Sequence, residues 1–87
     1  MKVYMQPVEL IAWFTRDGIP QPLKYRITAE DGTYQIVSIQ RIVHRTEEKT
    51  AGNRMLIFRC EAEVNNLLKL FELKFEVQTC TWYLYKM

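Results

Sequence analysis

The chain has 87 residues, of which 48% are hydrophobic and 13% aromatic, and its formal net charge is +2. This length predicts one domain spanning residues 1–87, and the composition excludes a disordered tail or linker. The small charge does not by itself predict a polyanionic partner, and no segment has the roughly 18 apolar residues of a membrane-spanning helix. Because MKVYMQPVEL lacks the apolar run of a signal peptide, we expect a soluble, cytoplasmic protein.

The first two elements are predicted to be strands, because apolar residues recur at every second position. One face of the first strand carries Val8, Leu10, Ala12 and Phe14. One face of the second strand carries Leu23, Tyr25, Ile27 and Ala29, and the opposite face carries Lys24, Arg26 and Thr28.

The pair Asp31-Gly32 predicts a hairpin with a two-residue type I′ turn, in which both central residues need positive φ. That turn sets Ile27 opposite Ile36 and Ala29 opposite Tyr34. The third segment, 34–45, has an irregular pattern: Tyr34 and Ile36 face inward, whereas Val37, Ile39 and Val43 lie on the other face. Either a β-bulge near 36–37 exchanges the faces, or both faces are covered and the strand is central. A polar loop is expected over 46–53.

The fourth and fifth strands have the most regular alternation. Their predicted inner faces carry Leu56, Phe58, Cys60, Ala62 and Val64 on one strand and Phe71, Leu73, Phe75 and Val77 on the other. A helix beginning after Asn66 is the alternative for 67–77, but it would scatter these side chains around its circumference. A turn at Asn65-Asn66 sets Phe58 opposite Leu73, Leu56 opposite Phe75 and Cys60 opposite Phe71, so apolar residues meet apolar residues.

The last segment, TCTWYLYKM, places aromatic residues on both faces. We expect it to pair beside the first strand, and a dimer contact is the alternative. Together the elements predict an all-β antiparallel meander of five or six long, bent strands that closes into a small SH3-like barrel. An OB-like barrel or an open sheet remains an alternative.

No pattern of catalytic residues or metal ligands is present, so we predict a protein that is not an enzyme and binds no cofactor. His44 lacks motif partners and is interpreted as a solvated histidine at a strand end. Cys60 and Cys80 are expected to be buried or half-buried free thiols, since the proposed register separates them by on the order of 30 Å. The paired glutamates, such as Glu61 and Glu63, are interpreted as solvated cross-strand charges. The isolated glycines form no phosphate-binding loop.

The predicted turn at Asp31-Gly32 assembles one candidate binding face on the outside of the sheet. It consists of basic and apolar residues: Lys24, Arg26, Val37, Ile39 and Arg41. Such a mixture on a small barrel suits single-stranded nucleic acid or an acidic protein surface. The alternative is that the aliphatic stems of the basic residues merely cover the apolar ones and that nothing binds.

Three segments, PLKYRITAEDGTYQIVSIQRIV, RMLIFRCEAEVN and FELKFEVQTCTWYLYK, resemble a group of small uncharacterised bacterial proteins. The resemblance covers most of the chain and implies no catalytic residue. Some proteins of this kind, with a similar basic-aromatic strand pair, resemble companions of DNA-repair polymerases. This implies a nucleic-acid partner, and the other expectation is a structural or protein-interaction domain that self-associates through an uncovered strand edge.

Overall fold

Alternating apolar and polar residues form strands along most of the chain. The computed structural model describes residues 1–87 and contains seven antiparallel strands and no helix. They are β1 (Val3–Phe14), β2 (Pro20–Thr28), β3 (Tyr34–Ser38), β4 (Arg41–Thr50), β5 (Asn53–Val64), β6 (Leu67–Glu76) and β7 (Thr81–Lys86). The all-β prediction is confirmed, including a strand and not a helix for β6. The predicted count of five or six strands is wrong, because the third segment divides into β3 and β4.

The strands form one curled sheet, a half-barrel, with the order β3-β2-β1-β7-β6-β5-β4. Strand β7 pairs with β1, as expected for the last segment. Strands β3 and β4 are consecutive in the chain but occupy opposite edges of the sheet. The link between them is only Ile39 and Gln40, whose N–H groups donate to the carbonyls of Leu23 in β2 and Glu61 in β5. The third segment is therefore neither a single bulged strand nor a central one.

Four β-bulges bend the sheet. The extra residue is Leu23 in β2, Val43 in β4 and Tyr85 in β7, and the fourth bulge lies in β1 between Val3 and Gln6. A bulge bends its strand and increases the local twist, so bulges in four strands account for the curl. The bulge at Leu23 also explains why this predicted inward residue is exposed while Tyr25 is buried.

The hairpin between β5 and β6 has the predicted register. Asn65 and Asn66 both have positive φ, 53° and 63°, as a type I′ turn requires. Phe58 lies opposite Leu73, and the other two predicted pairs are also present. A second turn with two positive φ angles, Ala51-Gly52, joins β4 to β5 within the segment that was predicted to be a polar loop. That loop prediction is wrong, because β4 continues to Thr50.

The hairpin between β2 and β3 differs from the prediction by one residue. Gly32 has a φ of 86°, but Asp31 does not have a positive φ, so the loop cannot be a type I′ turn. The N–H of Gly32 donates to the carbonyl of Ala29, and Ala29 pairs with Thr33 across a three-residue loop. This is the arrangement of a type I turn followed by a glycine bulge. Consequently Ile36 faces Arg26 and not Ile27.

The concave face of the sheet encloses the core. Its buried side chains are Tyr25, Val37, Leu56, Phe58, Cys60, Ala62, Phe71, Leu73, Phe75, Trp82 and Leu84. Phe58 is fully buried, and its ring centroid lies 5.5 Å from that of Trp82, which is 4.6 Å from Phe75. The predicted inner faces of β5 and β6 thus meet β7 in an aromatic cluster.

The two type I′ turns allow a paired stability test. Replacing Asn66 by glycine removes a side chain from a residue with positive φ, so we expect the free energy of unfolding to rise by about 0.5–1 kcal/mol. Gly52 has a φ of 82°, and a Cβ added there meets no atom within 4 Å. Replacing Gly52 by alanine therefore introduces backbone strain alone, and we expect the free energy of unfolding to fall. Urea unfolding measures both, and equal signs for the two changes would contradict this explanation.

Candidate binding face

The structure brings two of the five predicted binding residues together. Lys24 and Arg26 lie on the convex side of β2, as expected. Val37, in contrast, is only 4% exposed and packs in the core opposite Tyr25. Its predicted outward orientation is wrong, because the hairpin register is shifted by one residue.

The remaining two predicted residues lie outside this convex surface. Ile39, in the link between β3 and β4, is partly buried and packs against the core. Arg41 begins β4 at the opposite edge of the sheet, where its Nε donates to Glu61 at 2.7 Å. The five residues do not form one contiguous face.

The shifted register builds a different surface, which we call the outer face. Its residues are the outward side chains of β1, β2 and β3: Glu9, Ile11, Trp13, Lys24, Arg26, Tyr34 and Ile36. The strand pairing aligns Glu9, Arg26 and Ile36 across the three strands and places Ile11 beside Lys24. Tyr34 and Ile36, predicted to face inward, are 59% and 62% exposed.

Basic and aromatic groups are in direct contact on the outer face. The guanidinium of Arg26 forms an ion pair with Glu9 and lies 4.1 Å from the centroid of the Tyr34 ring. Lys24 takes part in no ion pair of the structure. Two cations and one anion give this face a net charge of +1, and its free cation is Lys24.

The outer face is shallow, apolar and open to solvent. A concavity of about 430 Å³ lies between Ile11, Lys24, Arg26 and Ile36. Trp13 is 66% exposed, so a large aromatic surface stands beside the basic residues. Planar groups can stack on such side chains while anions approach the cations.

Sequence reasoning missed Trp13, Tyr34 and Ile36 as surface residues. The alternation along β1 could have predicted the exposure of Trp13, because it places this side chain on the face opposite to Ala12 and Phe14. For β3, the signal was that a three-residue loop ending in glycine sets Val37 and not Ile36 on the side of Tyr25.

Two buried groups of the core have strongly raised pKa values. Burial raises the pKa of the Cys60 thiol to about 12. Burial and then the neighbouring Cys60 raise the pKa of Tyr25 to about 12. The Tyr25 hydroxyl is buried without a hydrogen-bond partner. Both groups are therefore protonated at neutral pH and are packing residues of the core.

The other candidate residues are separated. His44 is exposed in the middle of β4, so its predicted position at a strand end is wrong, although it is solvated. Both cysteines are free and Cys60 is buried, as expected, but Cys80 is exposed, so its predicted burial is wrong. No group of three or more His, Cys, Asp or Glu side chains lies close enough to hold a metal ion. No helix has the length and hydrophobicity needed to cross a bilayer.

Glu61 and Glu72 form cross-strand ion pairs, as interpreted from the sequence, whereas Glu63 takes part in no ion pair of the structure. Glu61 pairs with Arg41, and Glu72 pairs with Arg59 at 3.0 Å. Lys74 is nearly buried because its ammonium lies 3.9 Å from the centroid of the Tyr85 ring and 3.5 Å from Glu48. These three pairs lie on the convex side of the sheet, away from the core.

Comparison of the chain with protein-family models, curated proteins and solved structures finds no match.

Proposed function

We propose that this protein is a non-enzymatic binding module that takes single-stranded nucleic acid on its outer face, on a half-barrel of SH3-like or OB-like type. One observation supports the proposal above others: the exposed aromatic and basic side chains occupy the same face. Proteins that bind single strands combine cations for the phosphates with aromatic rings for the bases. The cytoplasm, where nucleic acid is accessible, is the proposed location.

Each residue of the outer face has a role in this proposal. Trp13 and Tyr34 offer rings on which two bases stack, and Lys24 contacts a phosphate. Arg26 is held over Tyr34 by Glu9, so it reaches a phosphate beside a stacked base. Because only two cations contact phosphates, we expect a shallow salt dependence and binding of modest strength.

The second candidate is a structural or protein-interaction domain that forms a homodimer. Leu67, Leu68 and Leu70 of β6 are exposed, and the edge of β6 before Glu72 has no partner strand, because β7 pairs only from Glu72 onward. An apolar strand edge is a site for pairing with another chain. Sedimentation measurements across protein concentration distinguish a dimer from a monomer.

The nucleic-acid proposal is tested by reversing the charges of Lys24 and Arg26. Fluorescence anisotropy with labelled oligothymidylate is expected to give a log-log salt slope of about −1.4 for the native chain, since each of two phosphate contacts contributes about 0.7. Lys24→Glu with Arg26→Glu abolishes binding and leaves the melting temperature nearly unchanged, because exposed ion pairs contribute little. Trp13→Ala weakens binding through lost stacking.

A matched control reverses two cations elsewhere, Arg45→Glu with Lys49→Glu on β4. This variant has the same change of net charge and retains binding if the outer face is the site. Equal losses in both double variants would show attraction to net charge only. A folded Lys24→Glu, Arg26→Glu variant with native affinity would remove the outer face as a nucleic-acid site.

A further inference from the structure

Strands β2 and β4 face each other across a gap that no backbone hydrogen bond crosses. No Cα atom of β2 lies within 8 Å of a Cα atom of β4. Paired strands lie about 4.8 Å apart, so two strands that flank a third are separated by nearly twice that distance. The gap, which we call the slot, therefore exceeds the spacing of a direct pair. The link at Ile39 and Gln40 closes one end of it.

The slot has one edge that can pair and one that cannot. Strand β4 pairs only with β5, so backbone N–H and C=O groups along its other edge have no partner strand. On the facing side, residues 20–22 of β2 pair only with β1, and both Pro20 and Pro22 lack an N–H group. These prolines deny β4 a complete ladder with β2, which explains why the sheet curls without closing here.

Aromatic and aliphatic side chains line the slot. One cavity of the slot has a volume of about 460 Å³ and has Phe14, Leu56 and Phe75 among its walls. Phe14 is 49% exposed, and its ring meets that of Phe75 edge-on at 6.1 Å between centroids. A second cavity, of about 470 Å³, lies between Gln21 and the bulged part of β4, next to the buried Phe58. Side chains of an inserted strand would contact the exposed ring of Phe14.

The rim on the β4 side is positively charged. Arg54 forms a two-point ion pair with Glu47, and this hydrogen bonding together with the charges of Arg54, Lys49 and Arg45 holds the pKa of Glu47 below its usual range. Neither Arg45 nor Lys49 takes part in an ion pair of the structure. Three cations around one anion give the β4 side of the slot a net charge of +2. Asp17 on the facing side adds one negative charge, so the slot as a whole has a net charge of +1.

We propose that the slot binds an extended acidic peptide segment of a partner protein, which pairs with β4 as an added strand. Its carboxylates meet Arg45 and Lys49, and its apolar side chains pack on Phe14 and the exposed edge of the core. A peptide is favoured over a nucleic acid because only a peptide backbone supplies a hydrogen-bonding ladder to β4. This site is separate from the outer face and does not depend on the function proposed above.

The probe is a fluorescein-labelled peptide of about eight residues, the length of a typical strand. Glutamate and valine alternate at every second position, with threonine between them, because Arg45 pairs opposite Phe58 and so lies on the core side of β4, where both residue types must point. Fluorescence anisotropy is expected to show saturable binding of this peptide and none of the version with lysine in place of glutamate. N-methylation of alternate residues on one edge of the probe abolishes binding, because that edge pairs with β4. Methylation of the other edge, which faces the prolines, is tolerated.

Two protein variants locate the site. Arg45→Glu with Lys49→Glu weakens binding by at least about tenfold, whereas Lys24→Glu with Arg26→Glu, the same change of charge on the outer face, leaves it unchanged. Phe14→Ala weakens binding, and Trp13→Ala, the neighbouring residue that points to the outer face, does not. Melting temperatures close to that of the native chain establish that each variant is folded.

Three results would overturn the proposal. The first is no saturable binding of the glutamate–valine probe by the folded native chain. The second is equal tolerance of N-methylation on both edges, which would exclude strand addition. The third is displacement of the probe by oligothymidylate in the native chain with loss of probe binding in the Lys24→Glu, Arg26→Glu variant, which would place the probe on the outer face.

Discussion

Replacing Phe58 by alanine lowers the free energy of unfolding by about 3–5 kcal/mol. Phe58 is fully buried at the centre of β5 and packs on Leu73 across the strand pair and on Trp82 from β7. Truncation removes the favourable free energy of burying the ring. It also leaves a cavity, which could close only if β5, β6 and β7 moved together. Urea unfolding followed by tryptophan fluorescence measures the loss.

Tyr34→Ala is the matched control for Phe58→Ala, since it truncates an aromatic side chain that is 59% exposed. We expect a change within about 1 kcal/mol there, because exposed substitutions away from special features have small effects. A cost below about 1 kcal/mol for Phe58→Ala would contradict the assignment of the core to the concave face of the sheet.

The two substitutions of Tyr25 have opposite expected effects. Tyr25→Ala costs about 3–5 kcal/mol, because the ring is 1% exposed and packs edge-on against Phe71 at 5.5 Å. Tyr25→Phe retains the ring and removes a buried hydroxyl that has no hydrogen-bond partner, so it raises the free energy of unfolding by about 1 kcal/mol. Thermal and urea unfolding of the three chains measures both changes. A destabilising Tyr25→Phe would show that the hydroxyl has a partner in solution.

The contrast between two turns shows what the sequence can predict. Asn65-Asn66 joins two strands whose apolar residues match in only one register, so turn chemistry and core pattern determine the pairing together. Asp31-Gly32 is compatible with a two-residue and a three-residue loop, and the apolar residues on both faces of 34–39 do not select between them. The error of one residue there moved Val37 from the core to the predicted surface.

The position of the edge strands was beyond sequence reasoning for a different reason. The segment 34–45 reads as one strand, yet its halves form opposite edges of the sheet. Ile39 donates to β2 beside one edge, and Gln40 donates to β5 beside the other. This division depends on how far bulges in other strands curl the sheet. The slot follows from the same long-range geometry. Prolines such as Pro20 and Pro22 indicate that their strand has an unpaired edge, but they do not predict which part of the chain lies opposite that edge.

The position of β1 constrains the order in which the chain can fold during synthesis. Its first half pairs with β7 and its second half with β2, so the earliest strand to leave the ribosome needs the last one as a neighbour. The hairpins of β4, β5 and β6 are local and can form as the chain emerges, whereas ladders between distant segments form slowly. Until β7 is made, the first half of β1 has no partner strand. The native sheet is therefore completed only after translation has passed Lys86, and a chain stalled earlier exposes that unpaired segment to aggregation or chaperones.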